Sequence, residues 1–400
     1  MNDIEGAVSD EMKRIGAASR IRPGASVAIT VGSRGINNIL TITRAVVAEL
    51  KSLGAEPFII PAMGSHGGAT PEGQKEVLAH YGITEEAVGC PIKSSMEVEE
   101  VGRSPDGIIS YVDQNALAAD HIVVMNRIKP HTEFEGKIES GLFKMMCIGL
   151  GKQKGAHHYH RAGVNFGFEH ALRTGGRTVL ENCRVVFGIG IVENGKDETA
   201  IIKALLPEEM EKGEEELLVK AKEWMPKLPF MEAEVLIVDE MGKNISGSGM
   251  DTKVIGRIMA PYSEEPQEPK ILRVVVLRPT PESEGNCTGL GLADFCHKRL
   301  VDQMEQHPTY INCMTAQSPE KARIPAYYDT DRKVLDAAFS TIGLVEKEKA
   351  RVMRIKNTLH LEEVDVSEAF LPEVEGRHDL ELIGEAGLEF DAEDNLKPFE

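Results

Sequence analysis

Aromatic residues are scarce in this chain of 400 residues: 5%, with a single tryptophan. That scarcity argues against an aromatic-rich all-β protein, and the 38 glycines suit an α/β protein with tight turns and backbone-lined sites. Cysteine is sparse and scattered, at positions 90, 147, 183, 287, 296 and 313, with no C-x-x-C pair. Neither a disulfide framework nor a zinc ribbon is expected, but rather reduced, mostly buried thiols in a cytoplasmic protein. No apolar run approaches the ~18 residues that a membrane-spanning helix needs. The polar, helix-like N-terminus lacks the basic stretch and apolar core of a secretion signal. Basic residues are outnumbered 45 to 64, for a net charge of −19. A surface of that sign repels nucleic-acid backbones and anionic lipid, so neither is an expected partner. There is no internal repeat, no P-loop ending in Gly-Lys-Ser/Thr, and no clean G-x-G-x-x-G after the first strand.

What is present is an alternation of strand-like and helix-like segments. Apolar runs at 27–31, 57–62, 121–125 and 185–192 read as buried strands. Helical patterns follow the first two, at 36–53 and from Pro71 to about Tyr81. That order predicts two α/β domains with mixed or mostly parallel sheets. A charged, proline-bounded helix within 205–230 marks the boundary, placing a cofactor-binding domain at 1–229 and a second domain at 230–400. The active site is expected in the cleft between them. The tail after about 375 is acidic and expected to lie loosely on the surface.

Ligands of such sheets bind beyond the carboxyl ends of strands. Arg34, His66 and His131 each follow such an end. Gly64, Ser65, His66, Gly67 and Gly68 form a turn whose glycines allow close backbone approach. The helix opening at Pro71 reads as an anion site through its unpaired N–H groups. The densest cluster runs from Met125 to Arg161, with histidines at 131, 157, 158 and 160 and lysines at 129, 137, 144, 152 and 154. His157 and His160 fall on one helical face and His158 on another.

In order and spacing, Gly64-Ser65-His66-Gly67-Gly68, then Lys129-Pro130-His131, then Ser140-Gly141-Leu142-Phe143-Lys144, then His157-His158-Tyr159-His160 resembles the lactate racemase family. The resemblance spans roughly Ser26 to Arg161. It implies a nickel-pincer nucleotide as cofactor, covalently bound through Lys144, with nickel ligated by His160. It implies that His66 and His131 are the catalytic histidines, that Arg34 binds the substrate carboxylate, and that Gly64, Ser65 and Gly67 line the cofactor. Lys243 of the second domain is the loose counterpart of a lysine that reaches the substrate, with Glu240 beside it. The family's Asp-x-Thr-Arg-Pro loop is replaced here by Val31-Gly32-Ser33-Arg34-Gly35. About three residues are inserted between His131 and Lys144. Both departures point to a substrate other than lactate.

The chemistry is coherent with that resemblance. The C–H bond of a 2-hydroxy acid is not acidic, and hydride removal avoids a carbanion but needs an electrophilic cofactor. Two bases on opposite sides serve two mirror-image substrates. An arginine fork fixes the carboxylate. Two other readings stand beside it: a zinc hydrolase built on His157, His158 and His160, and a non-catalytic module binding an anionic nucleotide.

Overall fold

The structure is a computed structural model that describes every residue except Arg34, Pro261, Ala386 and Glu400. The chain forms two compact units, Met1–Met225 and Pro226–Glu400. No helix among the described residues is long and apolar enough to cross a membrane.

The first unit holds strands β1 (Ser26–Val31), β2 (Glu56–Pro61), β3 (Val98–Arg103), β4 (Ile109–Asp113), β5 (His121–Arg127), β6 (Val185–Glu193) and β7 (Thr199–Leu205). Five make a sheet in the order β2-β1-β5-β6-β7, parallel except for β7. The other two form a separate antiparallel hairpin. Side chains along a strand alternate between faces, and here both faces are covered. Val27, Ile29, Ile59, Val123 and Met125 enter one apolar layer, against the helices Ile4–Arg14 and Ile39–Ser52. Ala28, Phe58, Ile60, Ile122 and Val124 enter the other, with Leu142, Phe143, Val179 and Leu218. Continuous apolar strands are therefore what this sheet requires. The helix expected from Ile36 begins only at Ile39, because Asn38 takes a left-handed conformation, φ 61°.

The order places β1 between β2 and β5, so the connections leave β1 in opposite directions. This is a topological switch point, where α/β sheets open a crevice. The β1–β5 ladder ends at Ile29↔Val123. Beyond it the buried Thr30 hydroxyl accepts the Met125 N–H at 2.8 Å and donates to the Met125 carbonyl at 3.2 Å. One hydroxyl thus satisfies backbone groups that the parting strands would otherwise strand.

The second unit has strands β8 (Glu232–Met241), β9 (Lys270–Pro279), β10 (Phe295–His297), β11 (Ala326–Tyr328), β12 (Val352–Ile355) and β13 (Asp365–Val366). Their order is β11-β10-β9-β8-β12-β13, parallel except for β13. The expectation of a loose acidic tail is corrected here. Residues 377–385, 387 and 388 are mostly exposed, but Leu396 is buried. Arg354 donates to the Lys397 carbonyl at 2.6 Å, and Phe399 N–H donates to Asp239 at 2.9 Å. Buried ionic groups on the sheet require partners, and the tail's backbone supplies them.

Candidate active site

Three loops leave the carboxyl ends of the adjacent strands β2, β1 and β5, and a single turn of π-helix, Met145–Gly149, touches two of them. At Gly32, after β1, a side chain would stand 3.3 Å from Met145 Cε. At Gly64, after β2, it would stand 3.2 Å from Ile148 and 3.5 Å from Ala156. The third loop, after β5, runs directly into the π-turn through Leu142–Lys144. Helix Lys152–Phe166 leaves its other end and carries His157, His158 and His160. π-turns of this kind often mark functional sites.

The loop carrying His66 is rigidly shaped. Gly67 has φ 64°, and a side chain there would fall 2.5 Å from the Gly73 backbone, so only glycine fits. Gln74, wholly buried, donates to the carbonyls of Gly64 at 2.9 Å and His66 at 3.3 Å. Gln74 in turn accepts from Lys152 Nζ at 3.0 Å. The His66 side chain is exposed. The anion site expected at the helix opening at Pro71 is not formed. Proline has no N–H, Thr70 Oγ1 accepts the Gly73 N–H at 3.1 Å, and the Thr70 carbonyl accepts that of Gln74. The hollow beside it carries Glu72 and Glu76, which repel anions.

His131 and His160 meet around Phe168. The His131 ring lies 4.6 Å from Phe134 and 6.5 Å from Phe168, and the His160 ring stands edge-on to Phe168 at 5.7 Å. His131 N–H donates to the wholly buried Glu139 at 2.5 Å, and its Nδ1 accepts from Glu133 N–H at 3.1 Å. His160 Nδ1 is buried and makes no hydrogen bond. Burial holds this imidazole below its usual titration range, opposed by Glu133 and reinforced by Lys144 and His157. A neutral imidazole with an unsatisfied buried nitrogen has the donor chemistry of a metal ligand. Lys144 Nζ lies 3.4 Å from Ser140 Oγ.

The other histidines of the cluster diverge from this point. His157 is exposed, and His158 Nε2 accepts the Ile109 N–H at 2.8 Å, tying its helix to β4. Among the described residues no three His, Cys, Asp or Glu side chains converge on a metal position. The zinc reading of His157, His158 and His160 is therefore not what this geometry favours. Arg34 lies outside the described residues; Tyr81 donates to the Ser33 carbonyl at 2.9 Å beside it. Lys243 belongs to the second unit, where its Nζ donates to the Gly247 carbonyl at 2.6 Å. Lys137, in the inserted stretch, is exposed, and its N–H donates to Glu169 at 3.1 Å.

Sequence reasoning counted Lys152 only as one more basic residue. It is wholly buried, at φ 52°, and pairs with the wholly buried Asp113 at 3.3 Å. It also donates to the Pro61 carbonyl at the end of β2. Lys152 thereby joins the His66 loop to the helix of His160. The unassuming glutamates Glu139 and Glu214 were missed as well, since nothing in their spacing distinguishes a buried carboxylate from a solvated one.

Residues 2–169 match the family model described as lactate racemase N-terminal domain. The chain also resembles the structure of the lactate racemase apoprotein from Thermoanaerobacterium thermosaccharolyticum, with a TM-score of 0.52 at 11% identity. That match covers 89% of this chain and 92% of the other. At such identity the likeness shows a shared α/β fold. No protein of curated function matches the sequence.

Proposed function

Because residues 2–169 belong to the lactate racemase N-terminal domain family, we propose that this chain is an isomerase. It would be a racemase or epimerase of a 2-hydroxy acid that works with a nickel-pincer nucleotide attached to Lys144. The observation that carries this reading is the orphaned, buried Nδ1 of His160, set across Phe168 from His131. A metal that arrives with its own donor atoms requires few ligands from the protein, and one unsatisfied imidazole suits it. When bound, the cofactor supplies an acceptor for the hydride of the substrate's α-carbon.

The chain's own residues do the rest. Gly64, close against Ile148 of the π-turn, and Gly67, close against Gly73, would with Ser65 line the cofactor. His66 and His131 exchange the hydroxyl proton from the two sides of the substrate. Arg34 would grip the carboxylate bidentately. The replacement of the family's Asp-x-Thr-Arg-Pro loop by Gly32-Ser33-Arg34-Gly35 favours a substrate longer than lactate. The buried thiols accord with a cytoplasmic setting.

The test is production in a host that makes the pincer nucleotide, followed by intact-mass and nickel analysis. Enantiopure lactate, malate, 2-hydroxyglutarate and aldonates are then incubated with the protein in deuterated water. A mass increment lost in Lys144→Ala, and inversion with little deuterium at the α-carbon, are expected. Inversion with full deuterium incorporation would mean proton abstraction and overturn the hydride reading.

A further inference from the structure

The segment between His131 and Lys144 is held closed at its neck, where Lys129 N–H donates to the Ser140 carbonyl at 2.9 Å and Ser140 N–H donates back at 3.2 Å. What grips it from outside is the helix Pro207–Trp224, the charged helix that marks the boundary between the two units. Two ionisable side chains on that helix reach the segment, eight residues apart.

Glu214 is wholly buried. Its Oε2 accepts the Phe143 N–H at 3.0 Å, at the start of the turn that presents Lys144. The fit is close enough that any side chain at Gly141 would collide with this carboxylate. The opening of a helical turn is the expected place for a carboxyl acceptor, but full burial makes the charged form costly. A solvated residue would serve equally well for capping alone.

Lys222 Nζ lies 2.6 Å from Glu139 Oε1 and donates to the Gly136 carbonyl at 2.9 Å. Glu139 is itself wholly buried. Its Oε1 accepts the Gly136 N–H at 3.0 Å and its Oε2 the His131 N–H at 2.5 Å. The ammonium of Lys222 is therefore the counter-ion of a carboxylate whose other partners are backbone amides of the His131 loop. Helices Pro207–Trp224 and Phe168–Asn182 are in turn tied by Arg173, which bridges Glu169 at 2.6 Å and Glu215 at 2.7 Å.

We propose that the helix Pro207–Trp224 is a two-point clamp on the site, with Glu214 positioning Lys144 for attachment and Lys222, through Glu139, positioning His131 for proton exchange. This rests on the roles given above to Lys144 and His131. The two points act on different steps, and that difference separates positioning from general structural support.

The experiment compares Glu214→Ala, Glu214→Gln, Lys222→Met and Glu139→Gln, each produced with the pincer nucleotide and each also as protein without it. Glu214→Ala should lower the fraction of protein bearing the Lys144 mass increment, and Glu214→Gln, which keeps an acceptor, should restore most of it. Lys222→Met should keep the increment but lower kcat per loaded protein by about 10²-fold with KM little changed, as displacement of a reacting group does. If Lys222→Met does not fold, Glu139→Gln, which leaves no buried charge unpaired, carries the same expectation. Amide exchange in protein without cofactor gives an independent reading. Glu214→Ala should speed exchange at Leu142 and Phe143 by roughly tenfold, and Lys222→Met at His131 and Gly136, without crossing over. Losses of increment and kcat that follow melting temperature equally in all variants would overturn the clamp. A wild-type protein without any increment, but with this split exchange pattern, would overturn the proposed cofactor and leave the clamp standing.

Discussion

Lys152 and Asp113 face each other at 3.3 Å with neither side chain exposed, and the same ammonium holds Gln74 and the end of β2. Burial lowers the affinity of Lys152 for its proton and raises that of Asp113, while each opposes the other's shift. Removing one partner leaves a buried charge uncompensated. Lys152→Met should destabilise the first unit by ~3–5 kcal/mol. Lys152→Met combined with Asp113→Asn should recover much of that loss. Urea unfolding of the two variants checks it; equal stability of both would show that the pair is not coupled.

Glu214 yields a pH dependence with a definite sign. Burial pushes its carboxyl up from 4.5 to about 8, opposed by the N–H groups of Phe143 and Leu142 and by Arg173, and assisted by Glu211. Between those values the folded chain holds a proton that the unfolded chain has released, so the contribution is fully present below about 4.5 and lost as pH rises through about 8. Melting temperature measured from pH 5 to pH 9 should therefore fall less steeply in Glu214→Gln than in wild type. Parallel curves would show that Glu214 does not titrate in this window.

Nickel content distinguishes the histidines of helix Lys152–Phe166. His160→Ala should lose bound nickel from protein loaded in the producing host, while His157→Ala should retain it. His158→Ala should retain nickel but lower the melting temperature, because the Ile109 N–H loses its acceptor. Retention of stoichiometric nickel by His160→Ala would remove that residue as ligand.

Single replacement of His66 or His131 should lower turnover in both directions by ~10² or more and leave the equilibrium constant unchanged. The progress curves from each enantiomer, followed to completion, check both statements. A variant with wild-type rates takes its histidine out of the reaction.

Gly67→Ala should loosen the His66 loop. The φ of 64° and the approach to Gly73 leave no place for a methyl group. A left-handed alanine costs ~1–2 kcal/mol before any clash is counted. Faster amide exchange over residues 64–74 would report it, with the second unit unaffected.

The sheet strands were legible because burial on both faces forces continuous apolar runs, as at Val27–Val31 and His121–Met125. The hairpin β3–β4 was not, since Val98–Arg103 carries two glutamates and an arginine along a largely solvated face. The sequence reading brought His131, Lys144 and His160 into one region, and the fold draws their elements together around the π-turn. It treated the opening at Pro71 as an anion site because it could not see that Thr70 caps the helix itself. It read Pro207–Trp224 as a boundary helix alone because periodicity reports the apolar contacts of Met210, Leu217, Leu218 and Ala221 but not the ionic ones of Glu214 and Lys222.

The C-terminal segment bears on the order in which this protein takes shape as it is made. Phe399 bonds to Asp239 across 160 residues of chain, and Leu396 N–H donates to Asp331 at 2.9 Å. Arg278 and Arg354, which pair with Asp239, also donate to carbonyls of Leu396 and Lys397. Until those residues leave the ribosome, the ionic groups on β8, β9 and β12 lack the backbone partners that complete them. The first unit is compact within Met1–Met225, and domains fold as units with the N-terminal one first during synthesis. Synthesis stalled shortly before residue 395 should therefore yield a folded first unit attached to an open, protease-sensitive second one.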